Sequence, residues 1–314
     1  MNPQVTKLIE LLKIMESQGA PPLWQLSAQE ARLTADTMIG AAFNDGGPVM
    51  DETRDFDIPG RRQPIMARLY VPEGISQSSP GLLYLHGGGW VLGSPDTHDR
   101  LARELALGVG ARVVSIAYAL APEHPYPEGL DDCVDAARWL GAHGTEIGID
   151  VGRLLIGGDS AGGNLTAATL LRVKEEGGPA FRAAIYIYGA FTLTIDTPSM
   201  QAWGDRDLIL SLKVMDWFRS LYLGEDAIAV IGNDPHAAPI HGDLRGLPPA
   251  VLVVGSLDPL QSDSEMFAAA LTKAGVETEL HVFDDAPHAF AQIFMLDMAA
   301  DAIARISAFT RARV

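Results

Sequence analysis

Residues 154–176 read LLIGGDSAGGNLTAATLLRVKEE, so an apolar run leads into a glycine-rich turn and then into a helix-like run. Ser160 lies in the middle of this turn, with Gly158 before it and Gly162 after it. A serine at a sharp strand-to-helix turn has strained backbone, and small neighbours leave its hydroxyl exposed. The pattern predicts a nucleophile elbow, although glycine-rich turns that cradle phosphates share part of it. We expect Asp159, next to the serine, to hydrogen-bond backbone and shape the turn.

A second glycine-rich loop lies upstream of the serine. The apolar run at 82–85 leads directly into residues 86–90, which read HGGGW. A loop that is nearly bare of side chains, at the end of a strand, can point its N–H groups at a developing oxyanion. We therefore expect this loop to serve as an oxyanion-binding loop near the serine.

Candidates for a catalytic acid and a catalytic base lie downstream. Asp258 follows the apolar run at 250–254, and His288 follows the strand-like run at 279–283. A serine hydroxyl is a poor nucleophile at neutral pH, so it needs a base, and the base needs an acid that fixes its tautomer. We assign Ser160, His288 and Asp258 to these roles, in the chain order Ser, Asp, His that α/β-hydrolases share.

The order of strands and helices predicts the fold class. From about residue 80, strand-like runs alternate with helical runs, which is typical of an α/β fold with a mostly parallel sheet and helices on both faces. The predicted parallel strands cover residues 81–85, 111–118, 153–156, 182–188, 250–254 and 279–283. Two earlier runs, 54–58 and 64–71, alternate more nearly in period two and predict an antiparallel start to the sheet.

Six short blocks together resemble the hormone-sensitive-lipase-like esterases, also called bacterial family IV carboxylesterases, in the subgroup with an aspartate before the nucleophile. The blocks are HGGGW (86–90), YALAPEHPYP (118–127), GDSAGGN (158–164), LPPA (247–250), DPL (258–260) and HAF (288–290). They follow one another in the family's order, and the resemblance covers roughly residues 60–311.

The resemblance implies an α/β-hydrolase fold, with a mostly parallel, eight-stranded twisted sheet, helices on both faces and a helical cap. The domains would be the N-terminal part of the cap at 1–45, the second part of the cap at 191–232, and a catalytic domain at 46–190 and 233–314. Ser27 and Glu30 make a capping-box pattern, which predicts the start of a helix in the first cap segment. We expect most apolar side chains of the second segment to pack against the sheet domain and one or two to face the pocket. These side chains are Met200, Trp203, Leu208, Ile209, Leu210, Met215, Trp217 and Phe218.

The resemblance also implies roles for the residues of the glycine-rich loops. Gly88, Gly89 and Ala161 match the family's oxyanion-hole donors. His86 and Gly87 match the residues that support the oxyanion loop, and we expect His86 to brace this loop rather than to transfer protons. The residues alone leave Gly87 open as a donor, because a sequence does not orient an amide.

The family's activity implies a serine carboxylesterase that hydrolyses short- to medium-chain acyl esters through an acyl-enzyme intermediate. An amidase, such as an arylformamidase, would use the same three side chains on an amide, and sequence discriminates poorly between the two. A hydrolase-fold receptor that binds a ligand without cleaving it is a third hypothesis. The intact Ser160, Asp258 and His288 argue against a receptor.

Two positions depart from the family's pattern. Ala119 replaces the arginine that usually follows the tyrosine of the YRLAPE block, so we expect a structural ion pair to be missing there. Ser262 stands where the family commonly has an aspartate four residues after the triad acid, although Asp263 follows and is a candidate to compensate.

Charge and hydropathy exclude several classes of partner. The 314 residues include 40 acidic and 23 basic side chains, and the net charge of −17 argues against nucleic acid or an anionic membrane as a partner. No apolar run is long enough to span a bilayer. Residues 1–18 lack the unbroken apolar stretch of a signal peptide, so we expect a cytoplasmic location.

The sequence also lacks the usual patterns of metal and cofactor sites. The single cysteine, Cys133, excludes an internal disulfide and a cysteine-rich metal site. No metal-ligand spacing, dinucleotide fingerprint or phosphate-loop ending occurs, so we expect neither a metal nor a cofactor. The expected partner is a small-molecule ester, and the resemblance adds a homodimer as a further expectation.

Overall fold

Eight strands form one sheet in the computed structural model, which describes residues 1–17, 21–43, 46–206, 208–224, 227 and 231–314. They are β1 (Met50–Ile58), β2 (Ile65–Pro72), β3 (Ser79–Leu85), β4 (Arg112–Ile116), β5 (Ile149–Asp159), β6 (Ala183–Ile187), β7 (Ala250–Leu257) and β8 (Thr278–Pro287). Their spatial order is β1-β2-β4-β3-β5-β6-β7-β8. β2 pairs antiparallel with β1 and with β4, whereas all pairs from β4 to β8 are parallel. The predicted α/β fold with an antiparallel start is therefore confirmed.

Helices cover both faces of this sheet. In the described part of the chain they are α1 (Pro3–Ser17), α2 (Ala28–Phe43), α3 (Asp99–Val109), α4 (Glu128–His143), α5 (Ala161–Glu176), α6 (Pro198–Trp203), α7 (Leu212–Leu223), α8 (Gln261–Lys273) and α9 (Asp297–Arg311). Short 3₁₀ turns lie at Leu23–Gln25, Gly144–Ile147, Pro239–His241 and Phe290–Gln292. A membrane-spanning helix, which must be long and apolar, does not occur among the residues described.

The central strands are buried because successive side chains alternate between two apolar clusters, one on each face of the sheet. On β3, Leu83 and Leu85 pack in one cluster with residues of α4 and α5. Leu82 and Tyr84 pack in the other cluster with residues of α3 and α9. Strands that are covered on both faces consist of continuous apolar residues, and this is why the sequence alone located β3.

The two predicted cap segments touch each other. The predicted capping box at the start of α2 is confirmed, since the Ser27 N–H donates to the Glu30 carboxylate at 3.0 Å and the Glu30 N–H donates to the Ser27 hydroxyl at 3.2 Å. The Nζ of Lys213, on α7, lies 5.0 Å from the centre of the Trp24 ring. The division into cap and catalytic domain stays a prediction, and residues 18–20, 44, 45, 207, 225, 226 and 228–230 of the predicted cap lie outside the described residues.

The carboxylate of Asp132, which accepts a hydrogen bond from the backbone of Ala119, is paired with an arginine from another part of the chain. Arg62 donates to Oδ1 of Asp132 at 2.8 Å, and the N–H of Ala119 donates to Oδ2 of the same carboxylate at 2.9 Å. The Asp132 side chain is buried, and burial raises the pKa of its carboxyl. Although Ala119 replaces the family's usual arginine, Asp132 is therefore still paired with a guanidinium, that of Arg62.

We predict that Arg62→Ala destabilises the protein by about 1–3 kcal/mol at pH 7, because it removes a donor from a buried carboxylate. Burial favours the protonated form of Asp132, so the folded variant takes up a proton at a higher pH than the unfolded chain does. The stability of the variant therefore falls as the pH rises, and its loss relative to the parent should be smaller at pH 5 than at pH 7. Urea unfolding at the two pH values measures this difference.

The matched control is Arg54→Ala, which removes an exposed ion pair between Arg54 and Glu52. We expect this control to change the free energy of unfolding by less than about 0.5 kcal/mol. Equal losses for the two variants, or a loss in Arg62→Ala that does not depend on pH, would contradict the prediction.

Candidate active site

Ser160 lies at the turn between β5 and α5. Its φ of 53° is in the left-handed region, which residues other than glycine rarely adopt, so the backbone is strained at this position. A Cβ at Gly158 would lie 2.3 Å from the carbonyl oxygen of Leu85, and a Cβ at Gly162 would lie 1.9 Å from the same oxygen. Glycine is needed at both positions because the elbow is in backbone contact with the end of β3.

Three polar side chains meet at the carboxyl edge of the sheet. Ser160 follows β5, Asp258 follows β7 and His288 follows β8, and parallel strands all end at the same edge. The Nε2 of His288 lies 3.1 Å from the Ser160 hydroxyl, and its Nδ1 lies 2.8 Å from Oδ2 of Asp258. Because a carboxylate only accepts, Nδ1 carries the proton and Nε2 presents its lone pair to the serine. This arrangement can activate the hydroxyl as a nucleophile.

The loop after β3 presents unpaired amides. Gly88 and Gly89 have φ values of 112° and 61°, which favour glycine. The N–H of Gly87 donates to Oδ1 of Asp159 at 2.8 Å, so this amide is already occupied. Within the described ranges, no protein group accepts a hydrogen bond from the N–H of Gly88, Gly89 or Ala161. These three N–H groups stay the predicted oxyanion donors, and Gly87 is not one of them.

His86 is buried at the base of this loop. Its Nδ1–H donates to the carbonyl oxygen of Gly87 at 2.8 Å, and its ring stacks on Tyr118 with the centroids 4.3 Å apart. The hydroxyl of Tyr118 in turn donates to the carbonyl oxygen of His86 at 2.8 Å. Burial, together with the neighbouring His98, lowers the pKa of His86 to about 3, so the ring is neutral at physiological pH. These contacts support the predicted bracing role.

The carboxylate of Asp159 connects the elbow to the glycine-rich loop. Its Oδ1 accepts from the hydroxyl of Tyr84 at 2.5 Å and from the N–H of Gly87 at 2.8 Å, and its Oδ2 accepts from the amide of Gln292 at 2.7 Å. Burial alone would raise the pKa of Asp159, but the charge interaction with His98 and the bond from Tyr84 outweigh it and lower the pKa. Asp159 therefore holds the start of the glycine-rich loop, at Gly87, as well as the turn in which it lies.

Asp263, on helix α8 just after the candidate acid, connects that helix to the start of the predicted cap. Its Oδ1 accepts from the N–H groups of Phe191 and Thr192 at 2.6 and 2.8 Å. Burial raises the pKa of Asp263 to about 6, even though these hydrogen bonds favour the charged form. Ser262 accepts from the N–H of Ser199 at 3.1 Å. Ser262, which replaces the family's aspartate, and the following Asp263 thus both form hydrogen bonds with the segment that begins at residue 191.

Aromatic side chains of α7 lie on the glycine-rich loop. A Cβ at Gly89 would lie 2.2 Å from the ring of Phe218, so this ring packs directly on the glycine. The ring of Tyr222 stacks on Trp90 with the centroids 4.5 Å apart and the planes 6° from parallel. Phe218 is therefore a residue of the predicted second cap segment that lies directly against one of the predicted oxyanion donors.

Sequence reasoning missed two residues that hold the site together. Tyr84 carried a signal, because a tyrosine in the buried apolar run 82–85 needs a partner for its hydroxyl. Gln292 carried none, because nothing in its sequence neighbourhood indicates a buried carboxylate nearby.

Cys133 is buried, and burial raises the pKa of its thiol, which keeps it protonated. In the ranges that the structure describes, no three His, Cys, Asp or Glu side chains are grouped so that they could hold a metal ion.

Comparison with known proteins gives concordant matches. Residues 82–292 match the family described as alpha/beta hydrolase fold. The chain is 41% identical over 217 residues to carboxylesterase NlhH of Mycobacterium tuberculosis, which covers 69% of this chain and 68% of that protein. It is 32% identical over 306 residues to the ethyl acetate hydrolase of Pseudomonas putida, which covers 93% and 92%. The structure of a hyperthermophilic esterase from Pyrobaculum calidifontis superposes with a TM-score of 0.90 at 32% identity, covering 99% and 98% of the two chains.

We predict that Asp159→Asn slows the reaction of Ser160 with a fluorophosphonate probe by about tenfold or more, because an unpaired buried donor costs about 1–3 kcal/mol. The new amide group would oppose one of the donors that now bind the carboxylate, and the glycine-rich loop would shift. Labelling rates measured by mass spectrometry test this. Asp57→Asn, on the exposed side of β1, is the matched control and should label at the parent rate. Parent-like labelling of Asp159→Asn would refute the connection.

Proposed function

Because this chain belongs to the alpha/beta hydrolase family, and within it to the hormone-sensitive-lipase-like esterases, we propose that it is a serine carboxylesterase that acts at Ser160. The observation that carries this proposal is the pair of hydrogen-bond distances from His288, 3.1 Å to Ser160 and 2.8 Å to Asp258. The esterases among its relatives and structural neighbours support the same reaction.

In the acylation step, Oγ of Ser160 attacks the ester carbonyl carbon while its proton passes to Nε2 of His288. Asp258 stabilises the imidazolium that forms. The N–H groups of Gly88, Gly89 and Ala161 accommodate the negative charge that develops on the carbonyl oxygen. When the tetrahedral intermediate collapses, the bond to the alcohol oxygen breaks and His288 protonates the leaving alkoxide. The acyl group remains on Ser160.

In the second step a water molecule replaces the serine as nucleophile. His288 takes a proton from this water, and the resulting hydroxide attacks the acyl-enzyme carbonyl. The acid product leaves when Ser160 regains its proton from His288. The two half-reactions share one site, so ping-pong kinetics follow.

The substrate class that we propose is a small ester with a short to medium acyl chain. Phe218 packs on Gly89, so an aromatic ring lies against one of the predicted oxyanion donors, and Tyr222 stacks on the neighbouring Trp90. The name of the ethyl acetate hydrolase of Pseudomonas putida, which this chain resembles over most of its length, refers to an ester of this size. The homodimer and the cytoplasmic location stay predictions from the sequence.

We predict that the parent chain hydrolyses p-nitrophenyl acetate and butyrate, and that Ser160→Ala loses at least about a thousandfold in kcat. Initial rates on the two esters, measured for the parent and the variant, test both statements. Ser78→Ala, an exposed serine before β3, is the matched control and should keep the parent rate.

Three outcomes would count against this function. A Ser160→Ala variant as active as the parent would mean that the nucleophile is wrongly assigned. Cleavage of p-nitroanilides in preference to the matched esters would favour an amidase. A rate that rises steadily toward long, emulsified triglycerides would contradict the proposed acyl range.

We also predict that Phe218→Ala shifts the acyl preference toward longer chains. Removing a ring that packs on Gly89 opens space beside the predicted oxyanion donors. The ratio of kcat/KM for the octanoate to kcat/KM for the acetate should rise about tenfold, which is the scale set by a few methylene contacts. Phe56→Ala, on β1 beside Trp139, is the matched control and should leave the ratio unchanged. An unchanged ratio in a folded Phe218→Ala variant would exclude this ring as a wall of the acyl site.

A further inference from the structure

An arginine of the N-terminal helix α2 binds backbone beside the glycine-rich loop. The Nε–H of Arg32 donates to the carbonyl oxygen of Val91 at 2.8 Å, and a terminal N–H donates to the carbonyl oxygen of Ala121 at 2.8 Å. Both terminal nitrogens also donate to the carboxylate of Glu123, at 2.9 and 2.6 Å. One guanidinium thus joins α2 to two separate loops.

The Val91 carbonyl belongs to the turn that contains two of the predicted oxyanion donors. The N–H groups of Val91 and Leu92 donate to the carbonyl oxygen of Gly88, at 3.1 and 2.8 Å. Gly88, Gly89 and Trp90 follow one another with φ values of 112°, 61° and 62°. Glycine adopts such angles without strain, but Trp90 does not, and a strained residue of this kind persists only where its surroundings hold it.

The second carbonyl that Arg32 binds is tied to the same turn. The N–H of Ala121 donates to the carbonyl oxygen of Trp90 at 2.9 Å. Arg32, Ala121 and the turn therefore form a closed set of hydrogen bonds that crosses from α2 to the oxyanion loop and back. A shift of the turn away from Ser160 would break several of these bonds together.

We propose that Arg32 is a positioning residue for the oxyanion loop. Its bonds to the Val91 and Ala121 carbonyls hold the turn so that the N–H groups of Gly88 and Gly89 stay aimed at the reacting carbonyl oxygen. The inference rests on the proposed esterase function, and it adds that α2 helps to set the geometry of the reaction besides covering the site.

The competing explanation is an ordinary ion pair between Arg32 and Glu123. Hydrogen bonds from Arg32 do lower the pKa of Glu123, to about 2. The carboxylate is about half exposed, however, at 52%, and exposed pairs of this kind contribute little. The two neutral carbonyls need not be bound for a charge pair to form. Because the guanidinium is a rigid fork and an ammonium is a point charge, lysine at position 32 could not serve both carbonyls in the same way.

The test uses the full chain and three variants, Arg32→Ala, Arg32→Lys and Glu123→Gln. Steady-state kinetics on p-nitrophenyl acetate separate kcat from KM, and amide hydrogen exchange by mass spectrometry follows residues 86–93 independently of activity. A displaced oxyanion donor lowers kcat more than it raises KM, because it acts in the transition state. Glu123→Gln leaves both carbonyl bonds of Arg32 in place and is the matched control.

We expect Arg32→Ala to lose about tenfold or more in kcat with KM within about twofold, since one whole oxyanion donor is worth about 10²–10³. The amides of Val91 and Leu92 should exchange faster, because the turn opens more often. Arg32→Lys should lie between Arg32→Ala and the parent, and Glu123→Gln should stay within about twofold of the parent in kcat.

Parent-like kcat and exchange in Arg32→Ala would overturn the proposal, and so would equal losses in Arg32→Ala and Glu123→Gln. If Arg32→Ala does not fold, Arg32→Lys decides: lower kcat with faster exchange at Val91 and Leu92 supports the positioning role, and parent-like values overturn it. If the parent hydrolyses no ester, the esterase function fails, whereas faster exchange in the Arg32 variants still supports the hold on the turn.

Discussion

The buried carboxylate of Asp159 holds together the two loops that carry the proposed chemistry. It accepts hydrogen bonds from the Gly87 N–H, the Tyr84 hydroxyl and the Gln292 amide, at 2.8, 2.5 and 2.7 Å. Asp159 directly precedes Ser160, so the same side chain connects the proposed nucleophile to the loop of the predicted oxyanion donors. A buried charge is stable only with such partners, and disturbing one of them is costly. The spacing of nucleophile and donors is therefore set in the core of the protein.

Helices α2 and α7, which belong to the two predicted cap segments, contact the same glycine-rich loop. Phe218 packs on Gly89, Tyr222 stacks on Trp90, and Arg32 binds the turn that follows. The two predicted cap segments thus also contact the backbone that carries the predicted oxyanion donors. Under the proposed function, a change in these segments would alter turnover as well as substrate choice.

Much of the site could be predicted because it depends on local patterns. The glycines around Ser160 indicate a turn that lies close to neighbouring backbone. The apolar runs before Asp258 and His288 predict that both residues lie at one edge of a parallel sheet. The oxyanion role of Gly87 could not be decided, because the direction of an amide depends on its partner. The partner of Asp132 could not be found either, since Arg62 lies 70 residues away and no pattern relates the two.

By itself, the sequence determined the sheet, the elbow and the order of the three polar residues, because periodicity and turn chemistry are properties of neighbouring residues. Only the tertiary structure decided which amides of the glycine-rich loop remain unpaired and which distant side chains, among them Gln292 and Arg32, support it. Hydrogen bonds of this kind depend on distances and directions in three dimensions between residues far apart in the chain. No local pattern of residues specifies those distances.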